Sequence, residues 1–271
     1  MPSRAASLRT GERAAALAAE DGCALAAALA VAPVDPSGVH EARKCVRRLR
    51  SLLALGRRTL GREAVDAIDD ELRALAKGLS TLRDAQVVQA TAETFARDAG
   101  RHGEAKSWKA LLPWLAQRQQ QALVAALRED PGFVQRQAQA HRQVDRIRQL
   151  PWHRLHAADL RQAMARSMRR QAKAQAMALV SGGLEDLHAW RRRSRRLRMQ
   201  LSALRKLRVR TQQGRDDAAT LRHVAELVDQ LGVLQDLALL KQTLDAMDQA
   251  QARAAPVAKR RLAPSPIQPL G

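Results

Sequence analysis

The sequence predicts an all-α fold, and three observations carry that prediction. Its 271 residues include no Tyr, two Phe and four Trp, so the aromatic and β-branched runs that favour strands are missing. Ala, Leu, Arg and Gln, all good helix formers, recur throughout. Gly and Pro gather in short breaks, leaving helix-length segments between them. Hydrophobic residues make up 46%, enough for a core built mainly from Ala, Leu and Val.

Breaks and periodicity place the elements in order. Helices are expected at about 4–31, 38–60, 62–78, 80–99 and 104–128, then at about 157–180, 184–210, 215–231 and 233–253. The breaks are APVDPSG at 32–38, EDPG at 129–132, QLPW at 149–152, SGG at 181–183 and QQG at 212–214. Segment 133–148 reads as a helical bridge. The stretch 256–271, with four prolines, reads as a disordered basic tail. The organisation is thus one helical domain over 1–255, with 129–156 bridging its halves, followed by the tail.

Charge bounds the partners. The net charge is +20, from 47 basic and 27 acidic residues. Such an excess costs self-repulsion and points to polyanions: nucleic acid, inorganic polyphosphate or an anionic surface. Cys23 and Cys45 form no disulfide framework or metal cluster, which favours a reducing, cytoplasmic setting. Arg4, Arg9, Glu12 and Arg13 interrupt the N-terminus, so no signal peptide is expected. No uncharged apolar run of spanning length occurs, so membrane insertion is not expected.

The chain repeats itself. HEARKCVRRLR at 40–50 matches HAWRRRSRRLR at 188–198 without gaps, at an offset of 148. The pairs are His40 with His188, Arg43 with Arg191, Lys44 with Arg192, Arg47 with Arg195, Arg48 with Arg196, and Arg50 with Arg198. Further on, Arg57 aligns with Arg205. LSTLRDAQVV at 79–88 matches LGVLQDLALL at 231–240 at an offset of 152, pairing Asp84 with Asp236. The two offsets differ by one helical turn. Two halves on one helical plan, about 5–128 and 157–253, account for this.

At about 100° per residue the basic side chains from His40 to Arg50 fall within an arc of about 160°. Val46, Leu49, Leu52 and Leu53 lie opposite. A solvated helix face normally mixes signs, yet no acid occurs between 42 and 62 or between 187 and 215. Like charges at i,i+4 repel, so the stripes read as anion sites. Arginine suits phosphate because its planar fork bonds two oxygens at once. His40 and His188 either contact phosphate or pack helices. Asp84 and Asp236 are candidates for carboxylates that pair with stripe arginines and hold their forks.

A His followed by basic residues at +3, +7, +8 and +10, with a later L-x-x-[LR]-x-D helix, resembles the CHAD family, the conserved histidine α-helical domain. The resemblance covers about residues 5–253. It implies two four-helix bundles related by a pseudo-twofold in one compact domain, and binding of inorganic polyphosphate through basic helix faces, with association to polyphosphate granules. Carried across, the contacts are His40, Arg43, Arg47, Arg48 and Arg50, with His188, Arg191, Arg195, Arg196 and Arg198; the stripes and their alignment add Lys44, Arg57, Arg192 and Arg205 as candidates. MRRQAK at 168–173 resembles the family's basic first helix of the second half and adds Arg169, Arg170 and Lys173. Met199 departs from a Tyr often found there, and Arg193 stands where the first copy has Cys45.

Catalysis is not expected, nor any cofactor or metal. A triphosphatase barrel would need strands and ExExK, and no P-loop is present. Arg101-His102-Gly103 mimics a histidine-phosphatase signature but falls in a turn between helices. His153 and His156 lack a clustered third ligand. The alternative reading is a generic polyanion or duplex nucleic-acid binder, weakened by the scarcity of aromatics for base stacking.

Overall fold

Local chemistry sets where each helix begins and ends. The computed structural model describes residues 9–99, 105–211 and 217–261. Helix α1 (Thr10–Val31) opens with the Arg9 amide donating to Glu12 at 2.8 Å, a capping-box contact. Helix α2 (Pro36–Gly56) starts with proline in its first turn, and the Ser37 amide donates to Asp35 at 2.8 Å. That bond holds the Asp35 carboxyl below its ordinary value. Helices α3 (Arg62–Gly78), α4 (Ser80–Ala99) and α5 (Ala105–Glu129) follow. Helix α6 (Val134–Arg148) begins on Asp130, whose carboxylate accepts from the Gln135 and Arg136 amides at 2.8 and 3.1 Å. Helix α7 (Ala157–Ser181) stops at Gly182, which has φ +60°, a left-handed conformation suited to glycine. Helices α8 (Leu184–Lys206) and α9 (Asp217–Arg261) complete the chain. Among the described residues no strand forms, as composition predicts.

Three features differ from the sequence reading. The segment read as a bridge is a core helix: α6 lies on α1 and α3 and buries Ala140, Val144 and Ile147. Its apolar side chains recur at helical spacing, and a face of that kind is stabilised by packing. The break expected at 231–233 is absent, because α9 runs through Gly232 and on to Arg261. Leu231 and Leu240 are buried on either side of that glycine, and packing overrides one weak helix former. Helix α9 therefore also covers the start of the supposed tail; residues 262–271, like Arg101-His102-Gly103, lie outside the described residues.

The helices group across the expected boundary. α1, α2, α3 and α6 touch in a closed ring. α4 and α5 pack together, and α4 crosses to α9 instead of closing on its own half. Val88, Ala92, Leu115 and Leu240 make a small separate core there. α8 joins α7, α9 and α2. Helix α1 is long and apolar enough by composition to cross a membrane, with mean hydropathy 1.6. In the structure it packs between α2 and α6 and buries Leu25, Leu29 and the charged Asp21.

The two basic helices thus meet. Where they touch, the Ser51 hydroxyl donates to Met199 Sδ at 3.8 Å and the Gln200 amide donates to the Ser51 carbonyl at 3.3 Å. Ser51 and Met199 are separated by the same offset of 148 that aligns the basic stretches.

Candidate functional site

Between α2 and α8 on one side and α4 and α9 on the other lies a cavity of about 680 Å³, with α1 at one margin. Of the stripe residues, His40, Arg43, Lys44, Arg47, Arg48, Arg191, Arg195 and Arg198 line it. Asp84 and Asp236 face it from α4 and α9. Elements 150 residues apart in the chain are therefore brought to one site by the α2–α8 and α4–α9 crossings.

Its centre is built from arginines without counter-ions. Arg43, Arg47, Arg191 and Arg195 come from two aligned pairs of positions, and none is in an ion pair with a carboxylate among the described residues. Burial, reinforced by Arg43, Arg83 and Arg191, drives Arg47 down to about 10. Burial, with repulsion from Arg191 and Arg47, does the same to Arg195. Burial also lowers Arg43 and Arg191, opposed by Asp84 and Asp236 respectively. Backbone and amide groups hold two of these forks. Arg43 Nη1 donates to the Ala76 carbonyl at 2.6 Å, and Arg191 Nη1 donates to Gln235 Oε1. The Nε groups of Arg43, Arg47 and Arg191 are buried and bond nothing. Unpaired buried donors and charges are costly, and a ligand rich in acceptors removes that cost.

Around this centre the cations are tied. Arg48 Nε donates to Asp21 at 2.6 Å from the α1 margin, and its Nη2 donates to Cys45 Sγ at 3.1 Å. Asp21 is raised by burial, against the pull of Arg48. Arg198 pairs with Asp229 at 2.8 Å. Arg83 on α4, not singled out by the repeat because its partner position is Gln235, also lines the cavity. Burial lowers it, with Asp236 opposing. Lys206 joins from α8; in the sequence it stands beside Arg205, the residue chosen by alignment.

His40 and His188 part company. His40 lines the cavity and is lowered by burial and then by the Arg83 and Arg47 charges, which favours its neutral form. His188 is half-buried on α8 and lies off the cavity wall.

Several expected contacts lie elsewhere. Arg50 turns to α3, where its Nε and Nη2 grip Asp69 at 2.7 and 2.9 Å. Arg57 is held by Asp66. Arg192 and Arg205 are exposed away from the cavity lining. Arg196 turns to a small cleft between α2, α7 and α8, lined also by Arg166, Arg170 and Arg193. Arg169 and Lys173 are exposed on the same α7 helix. Arg193, whose aligned partner Cys45 is buried, is itself exposed. Asp84 and Asp236 form no ion pair with the forks they were expected to hold; they act on Arg43, Arg83 and Arg191 through space. Burial raises Asp84 against the pull of Arg43, Arg83 and Arg118. Among the described residues no three His, Cys, Asp or Glu side chains converge as a metal-holding group.

Comparison with known proteins agrees with this architecture. A family model described as the CHAD domain matches residues 13–245. No curated protein matches. A solved structure, the CHAD domain from the plant Ricinus communis, superposes with a TM-score of 0.64 at 22% identity, over 96% of this chain and 90% of that one.

Proposed function

The chain belongs to the CHAD domain family, and from that premise we propose that it binds inorganic polyphosphate in the cavity between α2, α4, α8 and α9, without catalysis of its own. The observation that supports this most directly is the set of four half-buried arginines from aligned positions, Arg43, Arg47, Arg191 and Arg195, three of which (Arg43, Arg47 and Arg191) keep a buried Nε donor that bonds nothing. A protein that gathers four half-buried guanidinium groups without carboxylate ion pairs around one cavity suits a ligand with closely spaced negative charge and many acceptor oxygens. Arginine forks grip successive phosphates in bidentate fashion, Arg83 adds charge from α4 and Lys44, paired with Glu41 at 2.8 Å, from α2, and counterion release adds to affinity. Longer chains leave the cavity and reach Arg48, Arg198 and Lys206 at its margin, so affinity rises with chain length. Binding of this polymer would also bring the protein to polyphosphate granules.

A cavity of about 680 Å³ bounded by helices accommodates a linear phosphate chain far better than a duplex, which favours polyphosphate over DNA. The test is competition at physiological salt between long polyphosphate, short polyphosphate and duplex DNA. Long polyphosphate should displace a labelled long chain best, short polyphosphate less well and DNA least. DNA displacing polyphosphate at equal phosphate concentration would reduce the protein to a generic polyanion binder. No phosphate release should accompany binding.

A further inference from the structure

Helix α9 carries a glycine where helix physics disfavours one. Gly232 lies within a continuous helix, and glycine loses more backbone freedom there than other residues. Contacts explain comparable glycines. A Cβ at Gly22 would stand 2.9 Å from the Val144 side chain, where α1 and α6 press together, and one at Gly38 would stand 2.6 Å from the Ala28 carbonyl oxygen. A Cβ at Gly232 would meet, among the described residues and beyond the backbone of its own helix, a single atom within 4 Å: Arg191 Nη2 at 3.5 Å, an ordinary contact distance. The fold has room for a side chain here and omits it.

The empty space is part of the cavity. Gly232 lines it beside Gln235 and Asp236. Arg191, fixed by Gln235, turns an edge toward the glycine, and its Nε remains buried and unbonded. Ser80, the aligned residue in the first copy, instead starts α4 and bonds the Lys77 carbonyl at 2.7 Å; it does not line the cavity. We infer that Gly232 is a clearance residue: its bare backbone lets phosphate oxygens reach the outer edge of Arg191, and any larger side chain blocks that approach. The inference rests on the polyphosphate reading of the cavity.

The experiment compares the full-length chain with Gly232→Ala, Gly232→Leu and a control, Ala238→Leu, which places the same leucine side chain at an exposed α9 position off the cavity wall. Melting temperature and the Kd for a long polyphosphate of defined length are measured for each. Alanine is a better helix former, so Gly232→Ala should melt about 2–4 °C higher while binding more weakly than wild type. Gly232→Leu should lose about tenfold in affinity, roughly 1.4 kcal/mol, and Ala238→Leu none. The opposite movement of melting temperature and affinity in Gly232→Ala is what a purely structural glycine would not produce. Equal affinity of Gly232→Leu and wild type overturns the clearance role while leaving the polyphosphate reading standing. A wild-type chain that binds no polyphosphate overturns both. If Gly232→Leu fails to fold, the Gly232→Ala affinity decides alone: unchanged binding refutes the inference.

Discussion

Replacing Arg47 and Arg195 together by Gln should make the empty protein more stable and the binding protein worse. Both side chains are mostly buried, line the cavity from aligned positions and form no ion pair with a carboxylate among the described residues. Burial, seconded by neighbouring arginines, brings each down to about 10. The sign follows from linkage. A base lowered on folding weakens the fold wherever it is charged, so the full cost is present below pH 10 and disappears only at higher pH. A displacement of this size corresponds to about 3 kcal/mol per residue as an upper bound. A buried Gln amide without partners returns about 1–3 kcal/mol of that. A net gain of about 1 kcal/mol for the pair would raise the melting temperature by about 2–4 °C. Each lost charge-assisted bond to phosphate costs about 1.5–3 kcal/mol, so polyphosphate affinity should drop by at least about a hundredfold. Thermal melts with and without polyphosphate, plus titration of a labelled chain, read both quantities. A double variant that melts lower when empty and binds as tightly as wild type would refute the reasoning, because the arginines would then be structural.

Three other outcomes follow from the geometry. Burial and then the Arg83 and Arg47 charges lower His40 and favour its neutral form; phosphate favours its charged form, so affinity should rise as pH falls from about 7.5 to 6. Titration in buffers of different ionisation enthalpy should show proton uptake, absent in His40→Gln. For Asp69, burial acts to raise the carboxyl but the bonds and charge of Arg50 outweigh it, leaving it lowered; that stability is present above the ordinary carboxylate range and lost as pH falls through the lowered value. Asp69→Asn should therefore reduce the melting temperature at pH 7 and converge on wild type in acid. With Arg43, Arg47, Arg83, Arg191 and Arg195 unpaired, log affinity against log salt should fall with a slope of about −3 to −4, and the double Gln variant should flatten that slope by about 1.

The all-helical architecture and the polarity of α2 were legible because periodicity and repetition are local. Val46 and Leu49 face the core and Arg43 and Arg47 the cavity, as their angular positions required. What periodicity could not supply was the list of partners. Arg50 and Arg57 share the basic stripe, yet Asp69 and Asp66 on α3 remove them from it; nothing near residue 50 announces a carboxylate contributed by another helix. Arg83 was hidden by the very alignment that exposed Asp84, since matching residues drew attention and the mismatch with Gln235 did not. The duplicated histidines diverge for a similar reason: identical local motifs face different neighbours once α4 and α9 pack unequally around them. Gly232 misled in the other direction, since a residue that breaks many helices cannot break one held by Leu231 and Leu240.

The crossing of α4 onto α9 has a consequence for how the molecule assembles. Val88, Ala92 and Leu115 reach their shared core only when Leu240 arrives from the far end of the chain, and α2 covers α8 at Ser51 and Met199. Neither aligned segment can complete itself. Expressed alone, residues 9–148 would expose the α4–α5 apolar face, and residues 157–261 would lack the surface on which α8 rests. A length of chain written twice has become a single cooperative unit, so late-emerging sequence must wait for, and then stabilise, the part synthesised first.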